Sequence, residues 1–296
     1  MEQNKISRRN FLRVAGASAT AAAMSGLVPA ASAAGIKDLW SMDLQILATS
    51  DTHGKFDPWD YAANKADASG SVAQQATAIK ENRTRTTLVV DAGDTIQANS
   101  AELFLNDDVH PMIAAQNAIG YDVYVTGNHE WASGQMPQLR QLLEETGVTY
   151  LSNTFVPLER NGDTITLAGI DDPNGYAGQK SPEEVAGEVK EAAGDGFWLL
   201  MAHRNNLFDG EYCRLGADLV LSGHGHGGIW RLPFTDGLVD TNLNLLPSFT
   251  SGFYHCTDED CEGAEVFVSR GLGNSPKWAF RLFNRPQIAV VTLKKG

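Results

Sequence analysis

The chain has 296 residues, of which 43% are hydrophobic, 20% charged and 8% aromatic; this excludes collagen-like, coiled-coil and disordered classes and leaves material for a sizeable core. Lys and Arg number 23 against 36 Asp and Glu, a formal charge of −13. Gripping a nucleic-acid backbone through basic residues is therefore excluded as the main activity, and any phosphate chemistry calls for a metal.

Residues 1–33 read as an export leader. A basic opening through Ser7-Arg8-Arg9-Asn10-Phe11-Leu12-Arg13 is followed by an Ala-rich apolar stretch over 14–28 and by the A-x-A site Ala31-Ser32-Ala33. That order is the one of a twin-arginine signal. The expectation is a leader over 1–33 and one domain over 34–296, with the twin-arginine translocase as a partner during export. The location is then periplasmic or extracellular, with membrane attachment only through an uncleaved leader. No later stretch approaches the roughly 18 consecutive apolar residues of a membrane span.

Beyond the leader, short apolar runs alternate with helical patterns. The sequence predicts a strand over 44–49, a helix over 72–83, a strand over 87–90 and a helix over 111–119 with Pro111 as its first residue. A strand over 123–125, a helix over 136–146 closed by Gly147, and strands over 197–201 and 218–221 follow. After Gly228 only strands and turns are expected, over 247–254, 265–270 and 288–293. There is no Pro/Ser/Gly-rich linker and no internal repeat, so the pattern predicts one α/β domain of two sheets with helices outside. Three cysteines, Cys213, Cys256 and Cys261, carry no C-x-x-C and are no zinc-finger set. Cys256 and Cys261 suit a small disulfide around the acidic turn Thr257-Asp258-Glu259-Asp260, or two thiols, and the spacing does not choose.

Five of the predicted strands end in groups that ligate metals. Asp51-Thr52-His53-Gly54 follows the first, Gly93-Asp94 the second and Gly127-Asn128-His129-Glu130 the third; His203 and Gly223-His224-Gly225-His226 follow the last two. Strand ends of an α/β sheet share one edge, where ligands bind. Asp and His two apart at a strand end can hold one divalent ion, and a lone Asp such as Asp94 can bridge two. Mixed nitrogen and oxygen donors suit Mn, Fe, Zn or Co.

Together these motifs, over residues 51 to 226, resemble the calcineurin-like metallophosphoesterase superfamily. The resemblance implies an α/β/β/α, metallophosphatase-like fold: a two-sheet sandwich flanked by helices. It implies that Asp51, His53 and His226 hold a first metal, that Asn128, His203 and His224 hold a second, and that Asp94 bridges them. It also implies that His129 protonates the leaving oxygen while a metal-bridging hydroxide attacks phosphorus in line. The stretch 46–54 with Gly93-Asp94-Thr95-Ile96-Gln97, His110-Pro111-Met112 and 121–130 is similar to the exported 5′-nucleotidase and 2′,3′-cyclic nucleotide phosphodiesterase group. That group usually carries Gly after the Gln, where this chain has Ala98, and it uses a further C-terminal domain. Ala168-Gly169-Ile170-Asp171-Asp172, Ala202-His203-Arg204, 221–233 and 268–273 instead resemble small twin-arginine-exported phosphoesterases, in which Pro often follows the His-Arg; Asn205 stands there here.

The sequence thus predicts an exported dinuclear-metal hydrolase of phosphodiesters or phosphomonoesters, with diesters favoured and a small phosphate ester, nucleotide or lipid-linked, as substrate. The alternatives are an inactive metal- or phosphate-binding exported protein and a 5′-nucleotidase-like monoesterase. Arg204 is a candidate clamp for a phosphate oxygen. Trp131 and Trp230 read as packing, Asp171-Asp172 as a turn, and His110 and His255 as structural. No sequence-specific nucleic-acid partner is expected, and oligomeric state is not legible.

Overall fold

A computed structural model describes residues 43–60, 64–99, 110–160, 163–256, 261, 263–274 and 280–294. The expected leader and the acidic turn at 257–260 lie outside these residues. The chain runs β1 (Leu44–Thr49), the hairpin β2 (Trp59–Asp60) and β3 (Lys65–Ala66), α1 (Val72–Asn82), β4 (Thr87–Asp91), α2 (Pro111–Ile119), β5 (Val123–Tyr124), α3 (Asn128–Ala132), α4 (Met136–Thr146) and β6 (Thr149–Tyr150). It continues through β7 (Thr154–Arg160), β8 (Asp163–Gly169), α5 (Pro182–Ala193), β9 (Trp198–Arg204), β10 (Leu219–Gly223), β11 (Gly252–His255), β12 (Glu265–Val268) and β13 (Ala289–Leu293).

The main strands form two sheets, ordered β13-β1-β4-β5-β6 and β11-β12-β10-β9-β8-β7. In the first, β1, β4, β5 and β6 run parallel and β13 closes one edge antiparallel. In the second, β8, β9, β10 and β12 run parallel between antiparallel partners at both edges.

The uninterrupted apolar runs follow from burial on both faces of each sheet. Successive side chains point opposite ways. Ile46, Ala48, Val90 and Val123 therefore face Leu199, Met201, Leu219, Leu221 and Phe267 across the gap between the sheets. Their neighbours Leu47 and Val89 turn outward onto Ile79 of α1, and Tyr124 onto Ile113 of α2 with Leu139 and Leu143 of α4. On the far side, Trp198, Leu200, Val220 and Val266 pack under Val185 and Val189 of α5. Each such large apolar side chain contributes roughly 1.5–3 kcal/mol of burial. The result is the expected sandwich of two sheets between helices.

Three differences from the predicted elements have physical causes. The β7–β8 hairpin was not predicted, since Pro157 breaks its apolar alternation; β7 is an edge strand, where proline sacrifices little of the ladder. The helix α5 was also missed, although Ser181-Pro182-Glu183-Glu184 carries its start. Ser181 Oγ accepts from the Glu184 N–H at 3.2 Å, and Glu184 Oε2 accepts from the Ser181 N–H at 2.7 Å. Finally, β9 runs on through His203 and Arg204, which places His203 inside a rigid strand.

Candidate metal centre

The end of β9 and the loops that leave β1, β4, β5 and β10 converge at one end of the sandwich. Asp51, His53, Asp94, His224 and His226 all adopt left-handed backbone, with φ between 48° and 65°. Non-glycine residues there cost about 1 kcal/mol or more each and persist where the surroundings enforce them. Two glycines permit the approach. A Cβ on Gly127 would collide with the Asp94 carboxylate, and one on Gly223 would lie 2.5 Å from Asp51 Oδ2.

Donor atoms of Asp51, His53 and His226 lie within 4.8 Å of one another, as do those of Asp94, His203 and His224, and those of His53, Asp94 and His129. His53 Nε2 and His226 Nε2 are 3.0 Å apart. Asp94 Oδ2 stands between the groups, 2.9 Å from His203 Nε2 and 3.8 Å from His53 Nε2. Backbone N–H groups fix the carboxylates: His224 donates to both Asp51 oxygens at 2.9 and 3.1 Å, and His129 donates to Asp94 Oδ1 at 2.8 Å. The His203 ring is oriented by Ala92, whose carbonyl lies 2.8 Å from Nδ1 and leaves Nε2 for the cluster. Asn128 Oδ1 and His224 Nε2 are buried without a hydrogen-bond partner. Buried polar atoms without a partner, and imidazole nitrogens facing each other and a carboxylate, are what divalent cations would satisfy.

The electrostatics agree. Burial, followed by the His203 charge, pushes His224 down to about 3, and burial pushes His226 down to about 4. His53 is held well below its ordinary value, by burial first and then by His226. Neutral imidazole is the ligating form. Burial also opposes a charge on His203, but Asp94 and then Asp51 outweigh it and raise His203 to about 10. For Asp94, burial favours the neutral acid and the facing imidazoles, His203 first, overcome it, so the carboxyl lies well below its usual range. The site favours a positive charge between Asp94 and Asp51.

Glu130, the last residue of the Gly127-Asn128-His129-Glu130 motif, has a role that the sequence does not assign. Buried at 0% exposure, it accepts from four backbone N–H groups: Thr95 and Ile96 on Oε1 at 2.6 and 3.1 Å, Asp94 and Gly127 on Oε2 at 2.8 and 2.7 Å. It ties the loop carrying Asp94 to the start of α3. Burial and the Asp94 charge push its carboxyl up, while the four donors work the other way. Gln97 is a second unassigned residue, with Oε1 2.7 Å from His129 Nδ1.

Arg204 forks onto Asp172, Nε to Oδ2 at 2.6 Å and Nη2 to Oδ1 at 3.1 Å. Asp171 accepts from Thr126 Oγ1, Tyr150 Oη and Asn153 Nδ2, consistent with a turn and not a ligand. Trp131 donates to Thr126 Oγ1 and Trp230 to the Phe280 carbonyl, both as packing residues. His110 caps α2 by accepting from the Met112 N–H, and exposed His255 pairs with Glu265. Beside His224 opens a cavity of about 370 Å³, with Asn205, Asn206, Asp240, Asn242 and Asn244 among its walls.

The sequence profile described as calcineurin-like phosphoesterase matches residues 44–228. The trifunctional nucleotide phosphoesterase protein YfkN of Bacillus subtilis is 27% identical over 287 residues, 75% of this chain but 20% of that protein. The metallophosphoesterase YkuE of the same organism is 26% identical over 216 residues, 72% of this chain and 70% of its own length. A crystal structure of calcineurin-like phosphoesterase YfkN from Bacillus subtilis superposes with a TM-score of 0.55 at 21% identity, covering 86% of this chain and 91% of that one, which supports the fold.

Proposed function

Because the chain belongs to the calcineurin-like phosphoesterase family, which uses a dinuclear metal centre, we propose that it is a metal-dependent hydrolase of phosphate esters, with phosphodiesters favoured. The observation that carries this reading is Asp94, whose single carboxylate faces imidazoles of both sheets, His53 and His203. Asp51, His53 and His226 would hold one divalent cation, Asn128, His203 and His224 the other, and Asp94 both. When bound, such a pair supplies Lewis-acid stabilisation of phosphoryl charge.

The chain's own groups do the rest. Gln97 Oε1 accepts from His129 Nδ1–H, so it is in the imidazolium form that His129 would present its Nε2–H to the leaving oxygen. Asp172 occupies Nε and Nη2 of Arg204, which leaves Nη1 for a phosphate oxygen. The Asn-rich cavity beside His224 suits a polar leaving group, in keeping with the nucleotide phosphoesterase among the relatives. A lipid-linked ester is the second reading. It is favoured by Leu243, Leu245 and Leu246, exposed by 63, 80 and 75% on the loop that walls the same cavity. Among the described residues no helix is long and apolar enough to cross a membrane. Export by the twin-arginine route belongs to this proposal through Arg8-Arg9 and Ala31-Ser32-Ala33.

The test is a paired assay on chelator-stripped protein reloaded with Mn²⁺, using bis-p-nitrophenyl phosphate and p-nitrophenyl phosphate. Metal-dependent release with the diester preferred is expected; two bound metals without release would move the reading to a binding protein. His129→Ala is expected to keep its metals and to lose roughly 10²–10⁴-fold in kcat on esters with poor leaving groups, and much less on p-nitrophenyl esters. An equal loss on both would remove the proton-donor role. Arg204→Lys keeps a charge opposite Asp172 but loses the fork. It is expected to raise KM about tenfold with little change in kcat, and unchanged kinetics would confine Arg204 to its ion pair.

A further inference from the structure

The three cysteines that the sequence scattered are gathered by the fold. Cys213 sits in a 3-10 turn, Tyr212–Arg214, beyond the end of β9. Cys256 follows β11, and Cys261 precedes β12. All three sulfurs lie within 4.8 Å of one another, and no disulfide joins any two of them. Cys213 is fully buried among Phe208, Tyr212, Val266 and Val268, with Cys256 and Cys261 packed against the same cluster on the outer face of the second sheet. The Cys261 thiol donates to the Cys213 carbonyl at 3.1 Å, and the Cys256 N–H donates to the Ala264 carbonyl at the loop end of the hairpin.

We propose that Cys213, Cys256 and Cys261 form a separate site for a thiophilic d10 cation, Zn²⁺ or Cu⁺. A metal–sulfur bond of about 2.3 Å sets sulfurs roughly 3.8–4 Å apart around a tetrahedral or trigonal ion, so the group needs a contraction of under about 1 Å. Three sulfur donors select soft ions over the Mn, Mg and Ca that carboxylates prefer. The neighbouring imidazole does not compete, because His255 is turned outward, its side chain 76% exposed and paired with Glu265 at 2.9 Å. A disulfide would serve this arrangement poorly: any pair leaves a third thiol beside the bond, placed for exchange. Each thiol releases its proton to solvent as the cation enters, and no oxidant is required. The bound ion would staple the β11–β12 hairpin, at an edge of the second sheet, to the turn that follows the strand carrying His203 and Arg204.

The experiment uses the full chain, purified reduced under argon, beside a Cys213→Ser/Cys256→Ser/Cys261→Ser variant and a single Cys256→Ala variant. Co²⁺ serves as the optical probe for the zinc arm, and Cu⁺ is titrated against a chromophoric chelator for the copper arm. The expected result is a thiolate-to-Co²⁺ charge-transfer band in the wild type that both variants lack, with about one metal equivalent fewer in the variants. All three thiols should resist alkylation once loaded, and phosphoesterase turnover should change by less than about twofold. The competition decides between Zn²⁺ and Cu⁺. Equal metal content in wild type and variants, or reduced wild-type protein that shows no thiolate band and takes no Cu⁺, would overturn the site. So would a Cys256–Cys261 disulfide in the isolated protein whose reduction restores no metal binding. If the triple variant does not fold, the wild-type spectrum and the single variant still decide.

Discussion

Asp94→Ala is expected to lower kcat by roughly a thousandfold or more on both monoester and diester substrates, since several kcal/mol of charge stabilisation depends on the metals it would share. Metal content after gel filtration is expected to fall below two equivalents per chain. The side chain has three calls on it: His203 Nε2 at 2.9 Å, His53 Nε2 at 3.8 Å and the His129 N–H at 2.8 Å. Alanine leaves all three without their carboxylate, so the imidazoles of both sheets lose their shared counter-charge. Elemental analysis and steady-state kinetics on the same preparation check the prediction. A variant with full metal content and turnover would take Asp94 out of the site altogether.

Glu130→Ala is expected to cost about 3–5 kcal/mol of stability, although Glu130 is proposed to touch neither metal nor substrate. Four backbone N–H groups, from Asp94, Thr95, Ile96 and Gly127, lose their acceptor at once in a fully buried place. Each unsatisfied donor costs on the order of 1–3 kcal/mol, reduced where the loop can relax or admit water. Glu130→Gln keeps the length but turns an amide NH₂ toward N–H donors, so it should recover only part of the loss. Urea unfolding of the metal-free protein measures this directly, and a change below about 1 kcal/mol would mean that the loops are held by other contacts.

How far the sequence could be read follows from where each signal lies. The strand-end motifs were legible because their chemistry and their fold position are both local. Asp51 and His53 are two apart, and an apolar run directly before them says which edge they reach. The sandwich was legible for the same reason, through runs such as Phe197-Trp198-Leu199-Leu200-Met201 that are apolar on both faces. The Glu130 carboxylate was not, because its partners at Asp94 to Ile96 lie more than thirty positions away and a glutamate after Asn-His looks like any helical surface residue. The cysteine cluster was opaque in the same way: Cys213 meets Cys256 and Cys261 only once β9 and the β11–β12 hairpin are docked. The helix α5 had its capping box in plain view at Ser181 to Glu184, and the sequence carries Asn161-Gly162, a strong hairpin dipeptide, between the residues of β7 and those of β8.

Each proposed ligand set takes members from both sheets: Asp51 and His53 with His226, and Asn128 with His203 and His224. Neither sheet alone can therefore bind a cation pair, and a chain whose sheets have come apart offers the ions almost nothing. Ions that recognise only the docked form act on it by mass action, adding RT ln(1 + [M]/Kd) for each site, about 2.7 kcal/mol at a hundredfold excess over Kd. The cohesion of the sandwich thus becomes a function of its surroundings, firm in a metal-replete compartment and slack in a depleted one. The left-handed turns at Asp51, His53, Asp94, His224 and His226 lower the stability of the folded chain by a constant amount, so a larger share of the sandwich's cohesion would rest on the ions.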